Sequence, residues 1–185
     1  ASPSRMGEIA IAGPLPKSLE LTLGDQIYIA KQELPPALRN RLLRLAAFQN
    51  PEFYKAQAMR LSTYGKPRII ACAEELDRYI ALPRGCLEEL QALLGELLVE
   101  MDIRDDRHAG TPLQAAFQGH LRPDQLAAAR CMLAHDTGVL SATTAFGKTV
   151  VAAWLIAERA VNTLVLVHRR QLVDQWIERL SSFLG

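Results

Sequence analysis

Ala142-Thr-Thr-Ala-Phe-Gly147-Lys148-Thr149 decides how the second half of this 185-residue chain is read. The octet fits [AG]-x-x-x-x-G-K-[ST], the pattern of a phosphate-binding loop. Each fixed position has a physical task. The backbone must wrap a β-phosphate with its amides, here those of Thr144, Ala145 and Phe146, pointing inward. Gly147 lets that backbone come close because it has no Cβ. Lys148 sets a compact positive charge against the β- and γ-phosphates, and the Thr149 hydroxyl is placed to ligate Mg²⁺. The helix that starts here aims its partial positive end at the anion. Chance would give the pattern in about one chain in a hundred of this length. The flanks narrow it further, because a short strand, Val139–Ala142, leads in and a helix from Lys148 to about Arg159 leads out.

The surrounding pattern extends this reading. A helix is expected from Pro123 to about Ala134 and a turn at His135–Gly138. Thr163-Leu-Val-Leu-Val167 reads as a buried strand, and a last helix runs from Gln171 to about Phe183. Alternating helices and continuous apolar strands predict a parallel sheet. The expected fold class is therefore α/β: a small α+β N-terminal domain, then a domain with parallel strands.

Leu121-Arg-Pro-Asp-Gln125, Gly138 to Thr149, and Leu164-Val-Leu-Val-His-Arg-Arg-Gln-Leu172 with Gln175-Trp176 come in an order that resembles superfamily 2 helicases. The nearest groups are the XPB-like enzymes and the helicase subunits of type III restriction systems. The resemblance covers about Phe117 to Gly185. It implies ATP and Mg²⁺ as cofactors, with Lys148 and Thr149 in the catalytic machinery. It also implies that Gln125 contacts adenine, supported by Arg122; a carboxamide suits that base with one donor and one acceptor. His168, Arg169 and Arg170 would meet a nucleic-acid backbone, with DNA ahead of RNA. Two departures stand out, since relatives usually carry glycine at the position of Ala145 and often proline at that of Thr143.

Hydrolysis further needs an Asp for Mg²⁺ and a Glu to activate water. By the resemblance these follow the last motif seen here, and arginine fingers come from a second RecA-like domain. The 185 residues are thus expected to be an N-terminal portion of a helicase or translocase, inactive alone. Asp105-Asp106 precede the loop and read as a solvated strand end. A second reading is a nucleic-acid-binding or interaction module with a vestigial P-loop, which Ala145 encourages. A small kinase or GTPase would need an acid, base or guanine motif that is not visible.

Toward the N-terminus, residues 1–18 are rich in Pro, Gly and Ser and are expected to form an irregular arm. Residues 19–107 form the α+β domain, 108–120 a linker, and 121–185 the RecA-like part. Leu19–Leu23 and Gln26–Ala30 around Gly24-Asp25 predict a hairpin with a type II′ turn. Helices are expected from Pro35-Pro36, from Pro51 to about Leu61 behind an Asn50 N-cap, and from Pro83. Strands are expected at Arg68–Cys72 and Leu97–Ile103.

Charge is uneven along this part. Lys31 to Arg68 carries eight cations against two acids, and Ala71 to Arg107 carries ten acids against four arginines. The two segments can pair with each other, or the basic one can meet a polyanion. Arg39, Arg41 and Arg44 are the candidate nucleic-acid contacts, in a region interleaved with Phe48, Phe53, Tyr54 and Tyr64. Cys72, Cys86 and Cys131 are odd in number and form no CxxC pair, which argues for a reducing compartment and buried thiols. No apolar run is long enough to span a bilayer and no secretory h-region is present, so a cytoplasmic protein with no membrane partner is expected.

Overall fold

The computed structural model describes residues 13–32 and 34–185. The expected arm falls largely on residues outside this range. The chain is α/β and divides into two compact units, Ala1–Arg107 and His108–Gly185.

The first unit is built on a five-stranded sheet. Strands β1 (Ser18–Leu23) and β2 (Ile27–Ala30) pair antiparallel with Leu23 opposite Ile27. The sheet order is β5 (Glu74–Glu75), β6 (Tyr79–Leu82), β2, β1, β7 (Glu100–Asp105). Only β1 and β7 run parallel. The alternation of Leu19, Leu21 and Leu23 sends one face of β1 inward, and Ile27 and Ile29 of β2 join it. Against that face pack Leu38 and Leu42 of α1 (Pro36–Leu45) and Leu90, Leu93 and Leu94 of α3 (Leu87–Glu96). Each fully buried Leu or Ile is worth about 1.5–3 kcal/mol of burial, so this cluster is the main source of cohesion in the unit.

Several local expectations shift. The β1–β2 loop spans Gly24-Asp25-Gln26, and Gly24 is not in the left-handed region that a type II′ turn demands. Asp25 is held instead by the Tyr28 hydroxyl, which donates to its Oδ1 at 2.8 Å. The expected strand at Leu97 starts later because Leu97 to Val99 close α3. Leu98 takes φ +55°, with Val99 N–H donating to the Leu94 carbonyl at 2.9 Å and Leu98 N–H to that of Gly95. That six-to-one bond is a Schellman closure. Strand β6, which the pattern did not suggest, is central and has Ile80, Ala81 and Leu82 fully buried.

A smaller piece of the same unit comprises β3 (Ala47–Gln49), α2 (Pro51–Ala58) and β4 (Ile69–Ala71), with β3 and β4 antiparallel. Helix α2 starts as expected. Asn50 accepts from Glu52 N–H at 3.0 Å, and its own amide donates to the Pro67 carbonyl at 2.8 Å. The helix ends three residues early, and β4 is shorter and far more exposed than a buried strand. A two-stranded ribbon has no second layer to cover it.

The second unit has three helices, α4 (Pro123–Leu133), α5 (Lys148–Arg159) and α6 (Arg170–Leu184). Val151, Ala153 and Ile156 of α5 and Ala129 of α4 form its small core. Residues 108–120 are tied into this unit. Thr111 N–H donates to Asn162 Oδ1 at 2.7 Å, Gln118 N–H donates to the Phe183 carbonyl at 2.7 Å, and Phe117 stacks on Phe183 with ring centroids 5.7 Å apart.

Val139–Ala142 and Thr163–Val167, expected as parallel strands, join no ladder among the described residues. Val139, Leu164 and Leu166 are 91%, 82% and 83% exposed. A parallel strand exists only beside a neighbour that shares its hydrogen bonds, and these two segments do not pair with each other.

Candidate functional site

The loop between residue 142 and α5 owes its shape to two left-handed residues, Ala145 at φ +67° and Gly147 at φ +87°. Gly147 is the N-cap of α5, and the amides of Val150 and Val151 both donate to its carbonyl, at 3.0 and 3.1 Å. Among the described residues no protein group accepts from the amides of Gly147, Lys148 or Thr149. Free amides at a helix N-terminus next to left-handed backbone form a concave donor surface suited to an anion. No acidic side chain lies in the first turn of α5 to oppose one.

Lys148 is exposed and turned back over the loop. Its Nζ donates to the carbonyls of Ala142 at 2.7 Å and Thr143 at 2.9 Å. The ammonium is thereby held over the loop itself. Thr149, half-buried in the first turn of α5, follows directly.

Helix α4 supports the loop from outside. Gln125 is 4% exposed, one of two buried polar side chains among the described residues. Its Nε2 donates to the Phe146 carbonyl at 2.7 Å, and its Oε1 accepts from Arg122 N–H at 3.0 Å. The second bond is the reciprocal half of a capping box, an N3 side chain reaching back to the residue before the helix. Arg122 Nη2 also donates to the Phe146 carbonyl, at 2.9 Å, and its guanidinium lies 5.9 Å from the centre of the Phe146 ring. Nothing in the sequence marks the Phe146 carbonyl as the hub here, because every residue carries a carbonyl and only the fold selects one. The Gln125 carboxamide keeps one N–H and one lone pair beyond these bonds.

His168, Arg169 and Arg170 are exposed at the start of α6, where Arg169 is the N-cap. The first turn of this helix holds no acid, and among the described residues Arg170 reaches only Asp174, at 3.7 Å. Two guanidiniums at the positive end of a helix dipole are mutually unfavourable without an anion. Trp176, one face further along α6, is half-buried.

In the first unit the candidate arginines fare differently. Arg39 is ion-paired with Glu75, which also meets Lys31 at 3.5 Å, and Arg41 lies 3.9 Å from Glu96. The basic and acidic segments thus partly neutralise each other within the unit. Arg44 is exposed. Asp105 and Asp106 pair with Arg107 and Arg104 at 2.6 and 2.8 Å, and the Arg107 hydrogen bonds hold the Asp105 carboxyl down at about 2. The thiols are not buried as expected. Cys72, just after β4, and Cys131, on α4, are exposed and Cys86 is partly covered. Among the described residues no cluster of His, Cys, Asp or Glu could hold a metal, and no helix is long and apolar enough to cross a membrane.

Free amides at the N-terminus of α5, a lysine beside them and a buried carboxamide bracing the loop make a donor-rich, positively charged site. The model of a family described as "Type III restriction enzyme, res subunit" matches residues 118–185, a little over a third of the chain. The match supports a helicase-like superfamily for this segment and, in general terms, an ATP-dependent helicase-like function. No curated protein matches the chain significantly.

Proposed function

We propose that this chain is the nucleotide-binding portion of an ATP-dependent helicase or translocase acting on nucleic acid, DNA ahead of RNA, within a superfamily 2 RecA-like framework of the XPB-like or type III restriction kind. The observation that carries the reading is the left-handed Gly147 opening α5, with Lys148 and the free amides beside it and Gln125 locked underneath.

The residues present fit Mg-ATP. A Cβ at position 147 would stand 2.5 Å from Gln125 Nε2, so only glycine lets the loop close against α4 with its free amides turned to the anion. The amides of Gly147, Lys148 and Thr149, with those of Thr144 and Ala145, would hold the phosphates, whereas the Phe146 amide already donates to the Thr143 carbonyl at 3.3 Å. Lys148 would exchange its two carbonyl partners for phosphate oxygens. Thr149 would offer its hydroxyl to Mg²⁺, and Gln125 would turn its remaining donor and acceptor to adenine, with Arg122 alongside. Bound Mg-ATP supplies the hydrolysable phosphoanhydride that drives movement. Turnover further requires an acid pair and a second RecA-like domain. His168, Arg169 and Arg170 would take the nucleic-acid phosphates. Arg39 and Arg41, already neutralised by acids, are weaker candidates than the sequence suggested.

Calorimetric titration of Mg-ATP into the wild type and into Lys148→Ala tests this. Binding that is lost in the variant supports the motor. Binding in neither would leave the alternative, an interaction module whose loop is vestigial.

A further inference from the structure

Four cations and two exposed rings share the β3–α2–β4 lobe of the first unit. Between Ala47 and Ala71 stand Lys55, Arg60, Lys66 and Arg68, with Glu52 the only acid. Among the described residues none of these four is ion-paired, whereas Lys31, Arg39 and Arg41 of the same unit all have acids. Their charge is therefore available to a partner. Lys55 and Lys66 line an open cleft of ≈ 310 Å³ with Ala56, Met59, Leu61 and Glu52. That volume lies at the small end of ligand-sized clefts.

The apolar surface around these charges is also unusual. Tyr64 is 95% exposed, on a turn that Gly65 permits with φ +71°, and Phe48 is 52% exposed on β3. Arg68 lies over the Phe53 ring, 5.7 Å from its centre. Arg60 occupies the left-handed position after α2, at φ +55°, where a Schellman closure normally places glycine. The fold thus holds a long cationic side chain at the helix end in a conformation that disfavours it.

Cations in fixed positions neutralise a phosphate backbone, and a solvent-facing ring offers a platform for an unstacked base. A duplex keeps its bases stacked on each other and cannot use such a platform. A protein partner would use the apolar residues but would leave four cations against one acid unmatched. We propose that the β3–α2–β4 lobe binds single-stranded nucleic acid, with phosphates on Lys55, Arg60, Lys66 and Arg68 and a base stacked on Tyr64. Its choice of partner rests on the helicase-like reading, and it adds a strand-engaging surface separate from the P-loop unit.

Fluorescence anisotropy of the full chain with a labelled deoxythymidine oligonucleotide, without nucleotide, tests it. Replacing the four cations with glutamine should lower the slope of log K against log salt by up to about 2.8, at about 0.7 for each phosphate no longer neutralised. Tyr64→Ala should weaken single-strand binding about tenfold and reduce the preference over duplex. All five side chains lie at the surface, so circular dichroism should match the wild type. Unchanged affinity and slope in both variants overturn the proposal and leave the lobe to a protein partner. Binding lost only when Arg169 and Arg170 are neutralised also overturns it, while the helicase-like reading stands. Failure of that reading shows separately, as absent Mg-ATP binding in the wild type.

Discussion

Gln125 and Gly147 fit against each other so closely that the glycine is required twice. The backbone of Gly147 is left-handed at φ +87°, and a Cβ there would stand 2.5 Å from Gln125 Nε2. Meanwhile that same nitrogen holds the carbonyl of the preceding residue, Phe146. Helix α4 and the loop before α5 are therefore one packed object, and strain in either reaches the other.

Gly147→Ala should abolish Mg-ATP binding and destabilise the second unit by about 1–2 kcal/mol from backbone strain alone, with the clash adding more. Removing the obstructing amide with Gln125→Ala should recover part of the stability. A double-mutant cycle by urea denaturation measures this. Strict additivity of the two changes would show that the two residues are not coupled.

Ala145 sits at φ +67°, a conformation that costs an L-residue about 1 kcal/mol and glycine almost nothing. Ala145→Gly should leave Mg-ATP affinity the same or raise it several-fold. A clear loss of affinity on titration would mean that the methyl group is itself part of the site.

Asn50 both caps α2 and fastens the segment before β4, through Glu52 N–H and the Pro67 carbonyl. It is buried. Asn50→Ala should cost about 1–2 kcal/mol. Asn50→Asp keeps the capping acceptor but loses the donor to Pro67, so its cost should be smaller. Thermal denaturation of the two variants ranks them, and equal costs would assign the whole effect to the Pro67 bond.

The Asp105 carboxyl is lowered from 3.8 to about 2, chiefly by hydrogen bonds from the Arg107 side chain and backbone. Because the folded value lies below the unfolded one, its contribution to stability is full above pH 4 and disappears as pH falls through about 2. Carbonyl-detected NMR titration should place its midpoint near 2, and Arg107→Ala should return it toward the ordinary carboxylate range. A midpoint unmoved by that change would rule out the pairing in solution.

Two of the three thiols should alkylate quickly at neutral pH, since Cys72 and Cys131 are exposed. Cys86 should lag, because burial and the nearby Glu89 carboxylate raise its thiol above the ordinary range. Mass spectrometry of timed iodoacetamide labelling reads the order. Equal rates at all three would contradict it.

Residues that act through local chemistry were legible before any coordinates. Gly147-Lys148-Thr149, the Asn50 cap and the apolar stripe of Leu38 and Leu42 are short-range patterns, fixed by backbone sterics and helical periodicity. What the fold alone decided involves partners distant in the chain. Strand β6, Tyr79–Leu82, is four residues between Arg78 and Pro83, and pairing with β2 some fifty residues earlier makes it central. Arg39 and Arg41 looked available until the acids of β5 and α3 reached them. Conversely, Leu164 and Leu166 have the composition of a buried strand yet lie exposed, because composition states what a strand could bury and only a neighbouring strand can bury it. The sequence by itself determined which residues can meet a phosphate. The tertiary structure decided which are free to do so, since charge and hydrogen-bonding capacity are properties of a side chain whereas their availability depends on every group packed beside it.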